Sequence, residues 1–413
     1  MTTPLHRPRH RWVLMFVAVC LVALNLRVTI TGVGPLLDEI ASDQGVSPAA
    51  LGLLAAVPLM VWAVVSPLAQ SIADRIGLDA AVGWALVLLM AATVWRSLPG
   101  APANLWLGTV LLGIALAITN VLLPATIKRD FTNKIPLMMG LYSALIGVSG
   151  AAGAAMVAPI AHQVQNDGSM LGWRWALLAT GITLPLALLA WVLATFKGRR
   201  GDQTARTDTS TDPTSIPTQG AARRVWRDSV AWQIALHMGS QSATFYIYAT
   251  WLAPIDVSRG VDPITAGFSV TIFHIFGMLG SLLGPLLSRG AMRRLLPIML
   301  PVISFIGFWG FVFGPDIKVA WLVACGLSSG AALTVSMTLI GQRSATTEIA
   351  GATSGMVQSI GYLIAGVGPL VFGWFFEISG GWLLPLFAAA VAGTLQFVAA
   401  VALSRERMVF SRA

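Results

Sequence analysis

The sequence predicts an all-α integral membrane protein with twelve transmembrane helices, arranged as two six-helix bundles of the same orientation. Three observations predict this fold. The composition is that of a chain embedded in lipid. Twelve apolar runs have the length of a membrane span, and the second half of the chain repeats the first at a constant offset.

The composition argues against a water-soluble protein. The 413 residues are 56% hydrophobic and only 10% charged, with a mean hydropathy of +0.77. Soluble domains carry about 25% charged residues, so most of this surface must be solvated by lipid. The net charge of +9 does not indicate nucleic-acid binding, because the basic residues lie in short segments between apolar runs.

Each apolar run predicts one spanning helix. A helix needs about 20 residues to cross the hydrocarbon, and lipid cannot hydrogen-bond an open backbone. The first run lacks a small-residue cleavage site, so we interpret it as a retained span rather than a signal peptide. The runs are numbered span 1 to span 12 in chain order: 12–37, 49–73, 80–98, 104–127, 136–161, 173–196, 229–254, 263–287, 295–313, 319–341, 350–376 and 382–404.

The runs divide the chain into five parts. An N-terminal bundle at 12–196 and a C-terminal bundle at 229–404 are flanked by short tails at 1–11 and 405–413. The segment 197–228 is rich in Thr, Asp, Arg, Pro and Gly, which predicts a flexible cytoplasmic linker. Cys20 and Cys325 both lie inside apolar runs and indicate neither a disulfide nor a metal site.

The basic residues predict the orientation. An even number of spans places both termini on one side of the membrane. With the termini inside, 21 of the 26 Lys and Arg residues lie on the cytoplasmic side, and four lie on the outer side. The positive-inside rule therefore predicts a cytoplasmic (inner) membrane protein with both termini in the cytoplasm. The four outer residues are Arg96, Arg174, Arg259 and Lys318.

The two halves repeat at an offset of 215 residues. One offset that persists through six spans means that the second half has the same orientation as the first. Parallel repeats of this kind place a substrate site near the membrane midplane, between the halves. The matching positions are Gly45-Val46-Ser47-Pro48 with Gly260-Val261-Asp262-Pro263, Gly52 with Gly267, Ser66 with Ser281, Lys128 with Arg343, and Gly140 with Gly355.

Arg27 is the one formally charged side chain predicted to lie deep in a span. Its nearest acidic neighbours along the chain, Asp38 and Glu39, lie two to three helical turns toward the outer end. A cation at the bilayer centre costs about 2.5–3.5 kcal/mol on insertion scales and usually faces a wet cavity with a partner. We therefore predict that Arg27 holds an anionic or strongly polarised substrate group through its planar fork of donors.

A structural alternative for Arg27 stays open, in which it bonds carbonyls at a helix break assisted by Gly32, Gly34 and Pro35. Other polar residues at helical spacing either line the cavity or bond helices to one another. Asn25 and the small-residue face of span 5 favour helix packing. The candidate cavity residues are Thr31 in span 1, Tyr142 in span 5, His237, Gln241, Ser242, Thr244, Tyr246 and Tyr248 in span 7, His274 in span 8, and Gln358 and Tyr362 in span 11.

Several motifs resemble one known family. Ala73-Asp74-Arg75-Ile76-Gly77, between spans 2 and 3, resembles the loop motif of the major facilitator superfamily, although Gln70 and Leu78-Asp79 depart from it. Longer matches resemble the cyanate permease and nitroimidazole transporter family within it. These matches are Asn25-Leu26-Arg27, Gly34-Pro35-Leu36-Leu37, Lys128-Arg129-Asp130-Phe131, Trp251-Leu252-Ala253-Pro254 and Gly355-Met356-Val357-Gln358-Ser359-Ile360-Gly361-Tyr362.

The resemblance implies a transporter of small polar solutes, either cyanate-like anions or nitro-substituted azoles. It also implies a conformational latch at Asp74, Arg75 and Gly77. We assign Lys128, Arg129 and the repeat-related Arg343 to conformational gating as well.

The expected function is transport by alternating access of a small polar or anionic solute. The alternatives are efflux of small aromatic azole drugs and, more remotely, a transporter-like membrane sensor. No GxxxxGK[ST] loop is present, so ATP does not drive transport directly and no cofactor is expected. An enzyme is not expected, because the sequence offers no catalytic constellation. We expect a monomer whose partners are the solute and the lipid bilayer. Whether protons are coupled to transport stays open.

Overall fold

The chain folds into helices that cross the membrane twelve times. The computed structural model describes residues 9–131, 134–166, 168–202, 224–288, 290–405 and 407–410. Most of the predicted linker and the ends of both tails lie outside the described residues. The helices are Arg9–Asn25, Val28–Thr31 and Leu37–Gln44 in span 1, then Pro48–Ile76, Leu78–Ser97, Ala103–Asp130 and Ile135–Ala161, then Trp173–Ala179 and Leu184–Asp202 in span 6, then Ser229–Val257, Pro263–Leu287, Met292–Phe313, Lys318–Gln342, Thr347–Ser379 and Leu383–Leu403.

The helices carry the surface of a lipid-embedded protein. Ten stretches of the described chain are long and apolar enough to cross a membrane. Spans 2 and 7, with 29 residues each, complete the twelve. Large apolar side chains such as Val64, Trp84 and Ile182 lie exposed on the outside of the bundles, where lipid would cover them.

Span 1 is longer than predicted, and it is broken. The sequence predicts one helix over 12–37, but regular helix stops at Asn25, restarts at Val28–Thr31, passes through a 3-10 turn at Gly34–Leu36 and ends at Gln44. Pro35 lacks an N–H donor and disfavours helix at the residue before it. Span 6 is also broken, between Ala179 and Leu184.

The two breaks lie against each other. Thr183 donates to Asn25 Oδ1 at 2.8 Å, and a Cβ on Gly32 would lie 3.2 Å from Thr180 Cγ2. The interpretation that Asn25 ties helices together is therefore confirmed.

The repeated four-residue motif is a helix start in both halves. Gly45 and Gly260 have φ of +60° and +83°, the left-handed region that favours glycine. Ser47 Oγ then accepts from Ala50 N at 3.4 Å, and Asp262 Oδ1 accepts from Thr265 N at 3.0 Å. A proline follows each cap at the first helical position, where its missing N–H has no consequence. The repeat thus fixes where spans 2 and 8 begin.

The two bundles meet along spans 2 and 11, along spans 5 and 8, and where span 1 contacts span 7. At the end away from the termini the backbones touch. A Cβ on Gly52 would lie 2.5 Å from the Pro369 carbonyl oxygen, and one on Gly34 would lie 2.7 Å from that of Ala249. Ser47 Oγ also donates to Glu377 Oε2 at 3.1 Å. We call these contacts the outer seal.

At the opposite end the bundles stand apart. A Cβ on Gly351 or Gly355 would meet no atom within 4 Å, although both lie on the face of span 11 that carries Tyr362 two to three turns further from the termini. Span 11 therefore makes no close contact with the other bundle at these two positions.

We expect Gly52→Val to loosen the outer seal, because a side chain there collides with backbone that cannot move aside alone. Spin labels on Ala101→Cys and Asp316→Cys, exposed outer positions in the two bundles, should then report a longer mean distance. Gly393→Ala is the matched control, since its Cβ would meet nothing within 4 Å. An unchanged distance in Gly52→Val would show that the seal does not depend on this contact.

Candidate functional site

The break in span 1 aims Arg27 into the space between the bundles. Ser149 of span 5 bridges the break, since its Oγ accepts from Arg27 N at 3.2 Å and from Val28 N at 2.9 Å. Arg27 O accepts from Ile30 N and Thr31 N, both at 3.0 Å. The polar backbone groups freed by the break are thus paired inside the protein, as lipid surroundings require.

The guanidinium of Arg27 lies among aromatic rings. Its Nη1 donates to the hydroxyl of Tyr246 in span 7. Its Cζ lies 5.3 Å from the ring centre of Trp62, 5.4 Å from that of Tyr246 and 5.9 Å from that of Phe245. Tyr362 packs edge-on against Trp62 at 5.3 Å. We call Trp62, Phe245, Tyr246 and Tyr362 the aromatic cage; rings at these distances attract a cation through their faces.

Arg27 has no carboxylate partner among the described residues. The ionisable side chains that act on its charge are Tyr142, Tyr246 and Tyr362. Three of the four tyrosines in the sequence, from spans 5, 7 and 11, therefore lie near enough to Arg27 to influence its charge, and Tyr246 contacts it directly. Neutral hydroxyls and ring faces stabilise a cation but do not neutralise it, so the site retains a positive charge.

His274 of span 8 borders the same space. Its ring lies 5.6 Å from Phe245 and 5.3 Å from Phe273, and a Cβ on Gly150 would lie 3.1 Å from its Nδ1. It is close enough to Arg27 to sense that charge. The buried Nε2 has no hydrogen-bond partner among the described residues. His274 thus lies at the contact between spans 5 and 8, beside Arg27.

Two predicted cavity residues of span 7, His237 and Tyr248, bond to other spans of their own bundle instead of Arg27. His237 Nδ1 lies 2.9 Å from Ser336 Oγ of span 10, and Tyr248 hydrogen-bonds Ser304 O of span 9 at 3.1 Å. Tyr246 faces the N-terminal bundle, and a residue two positions away points about 200° around the helix. The side chains of His237 and Tyr248 are therefore turned into the C-terminal bundle.

The remaining candidates divide between packing and the cavity. Thr31 Oγ1 lies 3.0 Å from both Arg27 O and Gly150 O, which fastens span 1 to span 5. Gln241 donates to Ser242 Oγ at 2.8 Å, and Thr244 donates to Ser240 O at 3.0 Å. All three span 7 residues are buried. Gln358 donates to Ser354 Oγ at 2.9 Å and shares the cavity face of span 11 with Tyr362.

The predicted latch loop has one position that requires glycine. Gly77 has φ of +90° and ends span 2 by donating its N–H to Ala73 O at 2.8 Å. Asp74 and Arg75 are exposed beside it. Asp79, which departs from the family motif, accepts from Arg129 Nη2 at 2.6 Å and so links the start of span 3 to the end of span 4.

The other predicted gating residues also contact their own bundle. Arg129 pairs with the adjacent Asp130 at 2.6 Å, in addition to its bond across to span 3. Lys128 beside it is exposed. Arg343 is buried, and its Nη2 donates to Leu403 O at 2.7 Å, which joins span 10 to span 12.

Sequence reasoning missed Trp62, Phe245 and Arg96. Both aromatic residues are ordinary members of apolar runs, so no sequence signal separates them from lipid-facing or core residues. Arg96 was assigned to the outer surface. Its backbone does lie in the last turn of span 3, but its side chain is 1% exposed and points into the N-terminal bundle. The N-terminal bundle therefore holds a buried cation, Arg96, in addition to the half-buried Arg27.

Comparison with known proteins identifies the architecture. The sequence profile of the Major Facilitator Superfamily matches residues 15–369. The chain belongs to this superfamily. A solved structure of a bacterial homologue of the human lysosomal transporter Spinster, inward-facing and unoccupied, superposes with a TM-score of 0.80 at 16% identity, covering 98% of this chain and 100% of that one.

Two relatives match over most of their length. The 2-nitroimidazole transporter of Escherichia coli (strain K12) is 34% identical over 398 residues, which are 96% of this chain and 97% of the relative. The cyanate transport protein of the same organism is 29% identical over 371 residues, or 90% and 92%. The predicted fold and family resemblance are confirmed. The chain is a multi-pass membrane transporter of the superfamily, and both the relatives and the fold point away from an enzyme.

The neighbouring tyrosines of span 7 should respond differently to loss of their hydroxyls. We expect Tyr246→Phe to weaken solute transport about tenfold or more, because it removes a hydrogen bond to a charged group, worth about 1.5–3 kcal/mol. Tyr248→Phe should instead lower thermal stability, since it removes the buried hydrogen bonds of the Tyr248 hydroxyl to Ser304, and should leave transport per folded molecule unchanged. Initial transport rates and melting curves of both purified variants test this. Equal transport defects would contradict the assigned orientations.

Proposed function

We propose that this transporter moves a small polar or anionic solute by alternating access, with Arg27 holding the solute between the bundles. One observation carries the proposal. The guanidinium of Arg27 has no carboxylate partner among the described residues and lies where the two bundles face each other. A cation in such a place is stabilised by an anion that arrives from solution.

The geometry of the fork supports a small acceptor with two oxygens or an equivalent delocalised charge. Tyr246 occupies Nη1, and the other guanidinium N–H groups have no hydrogen-bond partner among the described residues. Carboxylate, cyanate and nitro groups all present acceptors that a guanidinium can bind through parallel donors. Tyr142 and Tyr362 can add hydroxyl donors from spans 5 and 11, so both bundles would contact the solute.

A second candidate substrate is a small aromatic azole moved outward. The aromatic cage around Arg27 favours it, because flat rings stack on Trp and Tyr faces. The 34% identity to a protein named 2-nitroimidazole transporter supports it as well. Arg27 has the same role in both proposals and would bind a nitro group in place of an anion.

The distribution of basic residues supports an inner-membrane location with cytoplasmic termini. In that orientation the outer seal closes the side away from the cytoplasm. Rocking the bundles would open the outer side while the solute stays near Arg27.

Arg27→Ala and Arg27→Lys test the proposed solute site. Both should reduce counterflow in proteoliposomes, by about tenfold or more if one or two charge-assisted hydrogen bonds of about 1.5–3 kcal/mol are lost. Arg27→Lys keeps the charge but loses the fork, so a defect in it shows that geometry matters. Arg174→Lys, an outer-surface arginine that pairs with Asp43 at 2.8 Å, is the matched control. Retained affinity and rate in both Arg27 variants would reject the proposal.

The choice between the two substrate classes requires a binding screen. Purified protein is heated with cyanate, small carboxylates or nitroimidazoles, and each shift in melting temperature is compared between wild type and Arg27→Ala. We expect a shift in wild type that the variant lacks. A shift produced by nitroimidazoles alone would favour the azole proposal.

His274 is the better placed of the two in-span histidines for carrying a proton, since His237 is engaged with Ser336 inside the C-terminal bundle. We therefore expect His274→Gln to abolish the pH dependence of uptake and His237→Gln to leave it unchanged. The measurement is the initial uptake rate across a pH series with expression matched. A pH dependence that survives in His274→Gln would reject this role.

A further inference from the structure

Arg96 is a buried cation of the N-terminal bundle, outside the site formed by Arg27. It lies at the end of span 3, and its guanidinium reaches between the broken spans 1 and 6. Nη1 donates to Thr29 O at 2.9 Å, and Nη2 donates to Thr180 Oγ1 at 3.2 Å. These bonds pair backbone and hydroxyl groups at the two breaks.

The bonds do not neutralise the charge. No charged side chain among the described residues acts on Arg96. Its Nε is buried without a hydrogen-bond partner, and so is the Oγ1 of Thr29, a residue that is 0% exposed. A buried cation without a counter-charge is strongly unfavourable, and a buried donor without an acceptor adds to the cost.

A cavity lies against these groups. Its free volume is about 20 Å³, whereas roughly 10–15 Å³ by the same measure holds one water-sized particle. Arg96 and Tyr246 line it together with four threonines contributed by spans 1, 4 and 7. These threonines are Thr29, Thr31, Thr109 and Thr250.

Tyr246 lines the cavity, and its hydroxyl accepts from Arg27. Tyr246 therefore stands between the two cations. Thr29 follows Arg27 by two residues on the outward course of span 1, so the cavity lies on the outer-seal side of Arg27.

We propose that this cavity binds a small monovalent anion of halide or cyanate size, held by the Arg96 guanidinium and the Thr29 hydroxyl. An anion there supplies the missing counter-charge and an acceptor for both unpartnered groups. Water would satisfy the hydrogen bonds but leave the charge unbalanced. The position of the anion along the solute path rests on the proposed function, whereas its binding does not.

The position suggests a sequence of two sites. An anion that enters from the outer side would meet Arg96 first and pass the Tyr246 ring to reach Arg27. The step needs only a change in the side chain of Tyr246 and the opening of the outer seal above it.

The test counts bound anions. Purified full-length protein is dialysed to equilibrium against radiolabelled chloride or radiolabelled cyanate, with gluconate as the balancing ion. We expect Arg96→Gln to lower the number of sites per chain by one, while Arg174→Gln leaves it unchanged. The same number in wild type and Arg96→Gln, including none in both, overturns the proposal.

Two further variants keep the test decisive if Arg96→Gln does not fold. Thr29→Val removes only a hydroxyl without a partner, so in gluconate it should be at least as stable as wild type. It should weaken binding at this site several-fold, and Arg96→Lys should do the same. Unchanged anion affinity in both variants also overturns the proposal.

The experiment distinguishes failure of the proposed Arg27 site from failure of the proposed Arg96 site. Arg27→Gln should remove a different bound anion. If it removes none while Arg96→Gln removes one, the proposed solute site is wrong and the second site stands. The reverse result rejects the second site alone.

Discussion

The hydroxyl of Ser149 makes the rest of the site feasible. It accepts the two amide N–H groups at the break in span 1, where lipid surroundings offer no water to take their place. With those groups satisfied, the helix can end at Asn25 and restart at Val28 without a large penalty. The break turns Arg27 away from the regular path of the helix and toward Tyr246, so a single contact between spans 1 and 5 positions the cation on which the cavity is built.

Buried Asp256 and the two cations of the N-terminal bundle differ in how their charge is compensated. In the C-terminal bundle, Asp256 is buried but accepts from Ser269 at 2.6 Å and pairs with Lys318 at 3.1 Å, so its charge is compensated internally. In the N-terminal bundle, Arg27 and Arg96 have hydroxyls, carbonyls and ring faces around them and no described carboxylate. An ion whose partner is missing is costly to bury, and the two proposed anion sites rest on that cost.

Alternating access requires contacts that can separate, and the outer seal has that character. Gly34 and Gly52 allow backbone of one bundle to touch backbone of the other. Such flat, close contacts are suited to rocking of rigid halves. The aromatic cage and His274 lie deeper along the same contact surface, so movement of the bundles would change their distances to Arg27 directly. In the proposed mechanism, the same residues would couple solute binding to opening.

The sequence by itself determined the number of spans, the internal repeat and the presence of Arg27 in a membrane segment. The length of an apolar run and the residues that start a helix are local properties of the sequence. The capping motifs before spans 2 and 8, for example, need only a few consecutive residues. Tertiary structure decided which polar residues meet. His237 and Tyr248 share the stripe spacing of cavity residues but bond spans 9 and 10, because the rotation of span 7 is set by its neighbours. Arg96 occupies an outer position in sequence, yet its long side chain reaches inward to carbonyl and hydroxyl groups that only the paired breaks of spans 1 and 6 bring together.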